Sequence, residues 1–213
     1  MTTVLFIHGL ESGPRGHKAR ALADAGFEVV AVQMPSSRSA ILKDPVTQLA
    51  LLSALVVLIS AAFAGLVWFA ATLVLLALSA TPFRVAVTRR MWRRSVDVQR
   101  AALRSHAIDV VLGSSFGGAV ALELLARGDW KGRTVLLCPA HRLVAQRARI
   151  APSRLPEQAD VLVVHGTRDE TVPLTHSRAL VENTAAKLIE VDDTHRLFDT
   201  ATADNLKAWI NAR

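Results

Sequence analysis

Val110-Val111-Leu112-Gly113-Ser114-Ser115-Phe116-Gly117-Gly118, running on into the helical stretch 119–127, is the segment from which the fold can be read. Its first three residues are an apolar, β-rich run. Its last part has helix-forming composition and stops at Gly128. Between them stands the pattern Gly-x-Ser-x-Gly. With glycine at about 7% of residues, that pattern alone is a weak signal. A strand directly before it and a helix directly after it make it a strong one, because that is the setting in which a sharp turn exposes a nucleophilic serine. The glycines permit the tight turn and the close approach of helix to strand. Ser115 would stand at the turn, at a helix N-terminus that favours developing negative charge. Ser114 would pack beside it. No lysine follows, as a phosphate-binding loop would require.

The same rhythm extends in both directions. Apolar runs at 4–7, 29–33, 109–113, 133–137, 161–164 and 187–191 read as strands, and 16–25, 119–127, 174–184 and 198–212 read as helices. Strands that are apolar throughout belong in a parallel sheet covered on both faces. Strand–helix alternation points to an open α/β sheet. The expectation is an α/β fold of about six mostly parallel strands flanked by helices.

One segment breaks the rhythm. From Pro45 through Phe83 there are 39 residues with no Asp, Glu, Lys, Arg or His. As a single helix it would be about 58 Å long, far beyond a hydrocarbon core of ~30 Å. The sheet resumes afterwards, so the chain must return to the side it left. An antiparallel pair, 46–63 and 66–81, turning at Ala64-Gly65, satisfies both limits. Each arm is near the minimum length for spanning, and no polar loop marks a far side, so a hairpin dipping into the bilayer is favoured over a two-pass span. The predicted division is a core of residues 1–44 and 84–213 with a hydrophobic helical hairpin at 45–83.

Charge reinforces this reading. Residues 84–104 hold seven arginines against the single acid Asp97, and so carry most of the chain's formal +7. The remainder is near neutral, which argues against a nucleic-acid footprint spread over the surface. Arg38 and Lys43 before the hairpin, and Arg84, Arg89, Arg90, Arg93 and Arg94 after it, suit two ends on the cytoplasmic side. Residues 84–104 also have helical periodicity, with Val85, Thr88, Met91 or Trp92, Ser95 or Val96, Gln99 and Ala102 or Leu103 near one face. Such a basic helix carrying a Trp would lie well on an anionic lipid surface. At 51% apolar and 20% charged, the 213-residue chain is not disordered and has room for one core with an accessory. Its one cysteine, Cys138, excludes an internal disulfide and a cysteine-based zinc site, and reads as a buried apolar residue. Met1-Thr2-Thr3 leads straight into a four-residue strand without a secretory signal, so a reducing, cytoplasm-facing location is expected.

A serine needs a base, and the base an orienting acid. In a sheet of this kind they follow the serine in the order acid, then histidine. Asp169 follows the run 161–164, and His195 follows the run 187–191. Both therefore fall at the C-terminal edge of the sheet, where sites of open α/β folds gather. Glu170, Asp192 and Asp193 are the competing acids, and His165 reads as a structural loop residue. An oxyanion needs two backbone donors. Phe116 N–H, next after the serine, is one. Leu10 N–H, in the bend His8-Gly9-Leu10-Glu11-Ser12-Gly13 after the first strand, is the other. His8 reads as a residue that orders this loop.

With Phe6-Ile7-His8-Gly9-Leu10, Gly113 to Gly118, His165-Gly166-Thr167-Arg168-Asp169-Glu170-Thr171-Val172-Pro173 and His195 in place, the chain resembles the α/β-hydrolase superfamily, in particular small bacterial serine esterases. These pieces frame everything but the hairpin. The resemblance implies Ser115 as nucleophile, Asp169 as acid, His195 as base, and Leu10 with Phe116 as oxyanion donors. Two departures stand out. The antiparallel strands that usually open the sheet are missing, and the hairpin replaces an ordinary helix. The expected function is a serine hydrolase cleaving an ester or thioester through an acyl-enzyme, with no cofactor and no metal. It would be held at the cytoplasmic face of a membrane through residues 45–83 and 84–104. Its partners would be a small acyl substrate and membrane lipids, not nucleic acid. The competing readings are a non-catalytic, membrane-associated binding or scaffold protein, and a soluble hydrolase whose hairpin is a lid or oligomer contact.

Overall fold

In chain order the elements are β1 (Thr3–Ile7), α1 (His17–Asp24), β2 (Glu28–Val30), α2 (Arg38–Leu42), α3 (Pro45–Ala64), α4 (Leu66–Ser105) and β3 (Val110–Ser114). They continue with α5 (Phe116–Ala126), β4 (Arg133–Leu137), α6 (His141–Ala148), β5 (Val161–Gly166), α7 (Leu174–Val181), β6 (Lys187–Val191) and α8 (Ala203–Asn211). The structure, a computed structural model, describes residues 1–10 and 12–212. Glu11 of the predicted oxyanion loop and the Arg38 side chain of the basic flank lie outside the described residues.

The strands join one sheet in the order β2-β1-β3-β4-β5-β6, with every neighbouring pair parallel. The strands in the middle of the sheet are apolar on both faces because both faces are covered. Successive side chains on a strand point to opposite faces. Leu5, Ile7, Val111 and Leu136 accordingly enter one core with α4 and α5. Val4, Phe6, Leu112 and Val135 enter the other, with Leu22 of α1 and Trp209 of α8. The six predicted strands are all present. The second is shorter than expected and ends at Val30. The predicted helix at 119–127 begins earlier, at Phe116. The last helix begins later, at Ala203, because Asp193 takes the backbone N–H groups of Asp199 and Thr200 and holds that stretch in a loop. The short α2 and α6 were not anticipated. α6 buries His141, Val144, Ala145 and Ala148 at helical spacing among polar and basic residues.

The insertion forms two antiparallel helices turning at Gly65, whose φ of 109° favours glycine. Past Thr47, α3 is covered only at Ala50, Ala54, Leu58 and Ala61, and the first part of α4 only at Phe69, Thr72 and Leu76. These stripes recur every three to four residues, so each arm meets the other along one face and leaves the rest open. Phe63, Leu66 and Val67 at the tip are 80–90% exposed. Both helices are long and apolar enough to cross a membrane by length and composition.

The second arm and the arginine-rich segment are one 40-residue helix, with Pro82 inside it. The division at residue 84 therefore falls within α4 rather than at a break. The predicted face of the arginine-rich stretch exists, but it turns toward the protein. Trp92, Ser95, Val96, Gln99 and Ala102 are buried, and the Trp92 ring meets Phe116 edge-on at 5.8 Å. Trp92 is thus a core residue and is not presented to lipid, a correction to the expectation above. Four of the arginines are likewise spent on the protein, Arg100 among them through Asp97 and Asp129. Arg89 donates to Ala148 O and Arg149 O, and Arg90 and Arg94 pair with Asp44, which also caps α3.

Candidate functional site

β3 ends at Ser114 and α5 starts at Phe116, so the whole turn is made by Ser115. Its φ of 55° lies in the left-handed region, a conformation that costs an ordinary residue about 1–3 kcal/mol. Besides the helical bond from Ala119 N–H to its carbonyl, two hydrogen bonds hold it there. Ser115 N–H donates to Leu137 O at 2.8 Å, and Ser115 O accepts from Ala140 N–H at 3.0 Å. The flanking glycines are required by space. A Cβ on Gly113 would lie 2.8 Å from Gly118 Cα, and one on Gly117 would fall onto the Ile7 carbonyl. Backbone cannot step aside as a side chain can. Gly117→Ala is therefore expected to destabilise the fold by about 3 kcal/mol or more. An unchanged denaturation midpoint would contradict this close packing of α5 on β1.

The two partners arrive from neighbouring strand ends. Asp169 lies in the turn after β5, with its side chain fully buried. Oδ1 accepts the N–H groups of Thr171 and Val172, both at 2.8 Å. Oδ2 accepts from His195 Nδ1 at 2.7 Å and from His165 Nε2 at 3.1 Å. Burial alone would raise this carboxyl's pKa. The hydrogen bonds from His165, His195 and Val172 outweigh burial and hold it well below the usual carboxylate range. An ionised carboxylate only accepts, so His195 carries its proton on Nδ1 and presents a lone pair at Nε2. That nitrogen lies 2.9 Å from Ser115 Oγ, which donates to it. Ser115, His195 and Asp169 thus form one hydrogen-bonded chain from three separate strand ends.

The competing residues are accounted for differently. Asp193 is buried and spent on Thr194, Asp199 and Thr200. Asp192 is exposed and pairs with Arg168, and Glu170 is exposed. His8 is buried, donating from Nδ1 to Gly9 O at 2.7 Å and accepting Met34 N–H at Nε2, so it orders the loop after β1. Burial lowers its pKa, which keeps it neutral. His165 departs from its expected place in a loop. It sits inside β5, with no exposed surface, and belongs to the immediate surroundings of Asp169. Its Nε2–H is shared between Asp169 and Val172 O, and Nδ1 accepts from Ser177 Oγ at 2.7 Å. The only sequence signal for this was its position four residues before Asp169. Cys138, His165 and Asp169 place their potential ligand atoms within 4.8 Å of one another. Both His165 nitrogens are engaged, however, and burial pushes the Cys138 thiol up to about 12.

Ser115 and His195 open onto a cleft of about 480 Å³ that Gly9, Leu10 and Ser12 also line. Its size is that of a small-molecule site. Gly9 passes close enough that a Cβ there would sit 3.6 Å from Ser115 Cβ. Among the described residues, neither Leu10 N–H nor Phe116 N–H donates to another protein group. The lining contains no residue of 45–83. A second groove, sharing Ser12, leads along Gly13, Met34 and Ala40 to Arg94 on α4, near the base of the hairpin.

No family model matches the sequence, and no curated protein matches it. Solved structures do match in shape. Alpha/beta hydrolase domain-containing protein 10 from mouse superposes with a TM-score of 0.61 at 13% identity, over 98% of this chain and 88% of that one. Est1E from Butyrivibrio proteoclasticus, solved with ferulic acid bound, gives 0.58 at 14% identity, over 99% and 86%. An alpha-beta serine hydrolase homologue from Coxiella burnetii gives 0.55 at 14% identity, over 98% and 83%. In this chain the parallel sheet and its flanking helices are the frame that brings Ser115, Asp169 and His195 together. The chain thus has the fold of the alpha/beta hydrolases it resembles in shape.

Proposed function

We propose that the protein is a serine hydrolase that cleaves a carboxylic ester or thioester and is held at a membrane by its hairpin. The observation that carries the chemistry is the chain from Ser115 Oγ to His195 Nε2 at 2.9 Å and from His195 Nδ1 to Asp169 at 2.7 Å, mounted on a turn that exposes the serine. Ser115 Oγ attacks the substrate carbonyl while His195 Nε2 takes its proton. Negative charge gathers on the carbonyl oxygen, toward which Leu10 and Phe116 N–H are assigned as donors. Asp169 stabilises the imidazolium and keeps Nδ1 protonated. His195 then returns the proton to the departing alcohol or thiol, leaving the acyl group on Ser115. Water, deprotonated by His195, repeats the sequence and releases the acid. The test is hydrolysis of 4-nitrophenyl esters from acetyl to palmitoyl by folded protein. Absence of turnover across that series sinks this reading.

The membrane part is supported by the open apolar surface of α3 and of the first half of α4. Covering it with hydrocarbon removes it from water, whereas the protein itself buries only Thr47 and Ala61 of α3. Where the hairpin leaves the core, Arg84, Arg147 and Arg149 surround an apolar groove formed by Leu42, Leu51 and Phe83, an arrangement suited to phosphate groups above acyl chains. On this reading the protein stays in the membrane fraction through high-salt and carbonate washes and is released by detergent. Release by salt alone would contradict it.

A further inference from the structure

The cleft in front of Ser115 carries a charge that the hydrolase chemistry does not use. Of the described residues that line it, His17, Lys18 and Arg196 are basic and none is acidic. These groups are built into the wall. Lys18 Nζ donates to Arg196 O at 2.6 Å, which ties α1 to the segment after His195. The Arg196 guanidinium lies 5.7 Å from the centre of the Phe198 ring, and the His17 ring packs edge-on to the same ring at 5.6 Å. The nearby acid, Asp193, acts on the Lys18 charge, but it is buried, takes donors from Thr194, Asp199 and Thr200 and does not line the cleft. α1 also begins here, at Gly16, with no side chain capping its first turn, which adds to the positive potential. In a partly enclosed cleft these charges attract an anion more strongly than they would in open water.

We infer that the substrate of this site carries an anionic group, a carboxylate or phosphate, held by Lys18 and Arg196 while its ester or thioester carbonyl faces Ser115. The inference rests on the hydrolase reading for the reacting bond, and on the basic wall for the substituent. The anion belongs either to the acyl part or to the leaving group, and two substrate pairs separate these sources. Mono-4-nitrophenyl glutarate is compared with 4-nitrophenyl pentanoate for the acyl side. 4-Carboxyphenyl acetate is compared with 4-carbamoylphenyl acetate for the leaving side. Each ratio is corrected for the esters' own rates with hydroxide.

The expected result is a preference in kcat/KM of about tenfold or more for the anionic member of one pair, as a hydrogen bond to a charged group would give. The preference falls as salt is raised. It is reduced toward unity in Arg196→Gln and in Lys18→Gln. Arg196 is exposed, so that variant retains the fold even if loss of the Lys18 tether disturbs it. Equal kcat/KM within both pairs, or a preference undiminished in both variants, overturns the inference. A binding measurement separates it from the hydrolase reading. In the Ser115→Ala protein, glutarate is expected to raise the melting temperature where its diamide does not, and Arg196→Gln is expected to remove that shift. Anion binding without ester turnover by the unaltered protein would leave the basic site standing and sink the hydrolase. Turnover of neutral esters without anion preference or anion binding would do the reverse.

Discussion

Replacing Ser115 with alanine is expected to lower ester hydrolysis by at least about 10⁴-fold while leaving the fold unchanged. The magnitude follows from how such groups act. The nucleophile, base and acid work as a unit, so removal of the nucleophile removes covalent catalysis altogether. What remains is the modest rate that binding and oxyanion stabilisation supply alone. The fold should tolerate the change because Ser115 is held by its backbone. Its N–H bonds to Leu137 O and its carbonyl accepts from Ala119 and Ala140, and alanine keeps all three bonds. Among the described residues, the only side-chain bond lost is the one to His195. A variant that folds and still hydrolyses esters at a comparable rate would place the reaction elsewhere.

Asp169→Asn is expected to lower kcat by about 10⁴-fold with KM little changed. The amide offers an NH₂ where the carboxylate offers acceptors. His195 then loses the partner that keeps its proton on Nδ1, and Nε2 is no longer held as the acceptor facing Ser115. The same substitution has a consequence for stability that depends on pH. Asp169's carboxyl has a lower pKa in the folded protein than the value of about 3.9 it has in an unfolded chain. The unfolded state therefore binds more protons in the acid range, and the contribution to stability rises with pH there. It is fully present above about pH 5 and is lost as the pH falls through and below the unfolded value. The difference in denaturation midpoint between the parent and Asp169→Asn should consequently shrink on going from about pH 6 to about pH 3. A difference that grew on acidification would contradict the ionised, four-donor environment of this carboxylate.

Much of this was legible in the sequence because the relevant signals are local. An apolar run long enough for a strand, two glycines that only a tight turn needs, and a serine between them fix β3, the turn and α5. The positions of Asp169 and His195 follow from the strands before them. The hairpin is legible because thirty-nine residues without charge admit few geometries, and Gly65 marks its turn. What was not legible depends on contacts between distant segments. Trp92 on a basic helix looks the same in sequence whether it faces lipid or Phe116, and only packing decides. Asp44 carries no sign that Arg90 and Arg94 will reach it across the base of the hairpin. His165 reads as one more residue at a strand end, yet the turn after β5 folds Asp169 back beside its ring. Lys18 belongs to an ordinary amphipathic helix until α1 is seen against the segment after His195. α6 is faint in the sequence because its buried positions, one of them a histidine, stand among two arginines and a glutamine.

The central claim is that Ser115 is an activated nucleophile. The most direct measurement is to treat the detergent-purified protein with a fluorophosphonate, which captures serines only when a neighbouring base activates them, and to map the adduct by mass spectrometry. The account predicts one adduct, on the peptide containing Ser115, absent from Ser115→Ala and strongly slowed in Asp169→Asn. A folded protein that stays unlabelled, or labels equally well without Ser115, would contradict it.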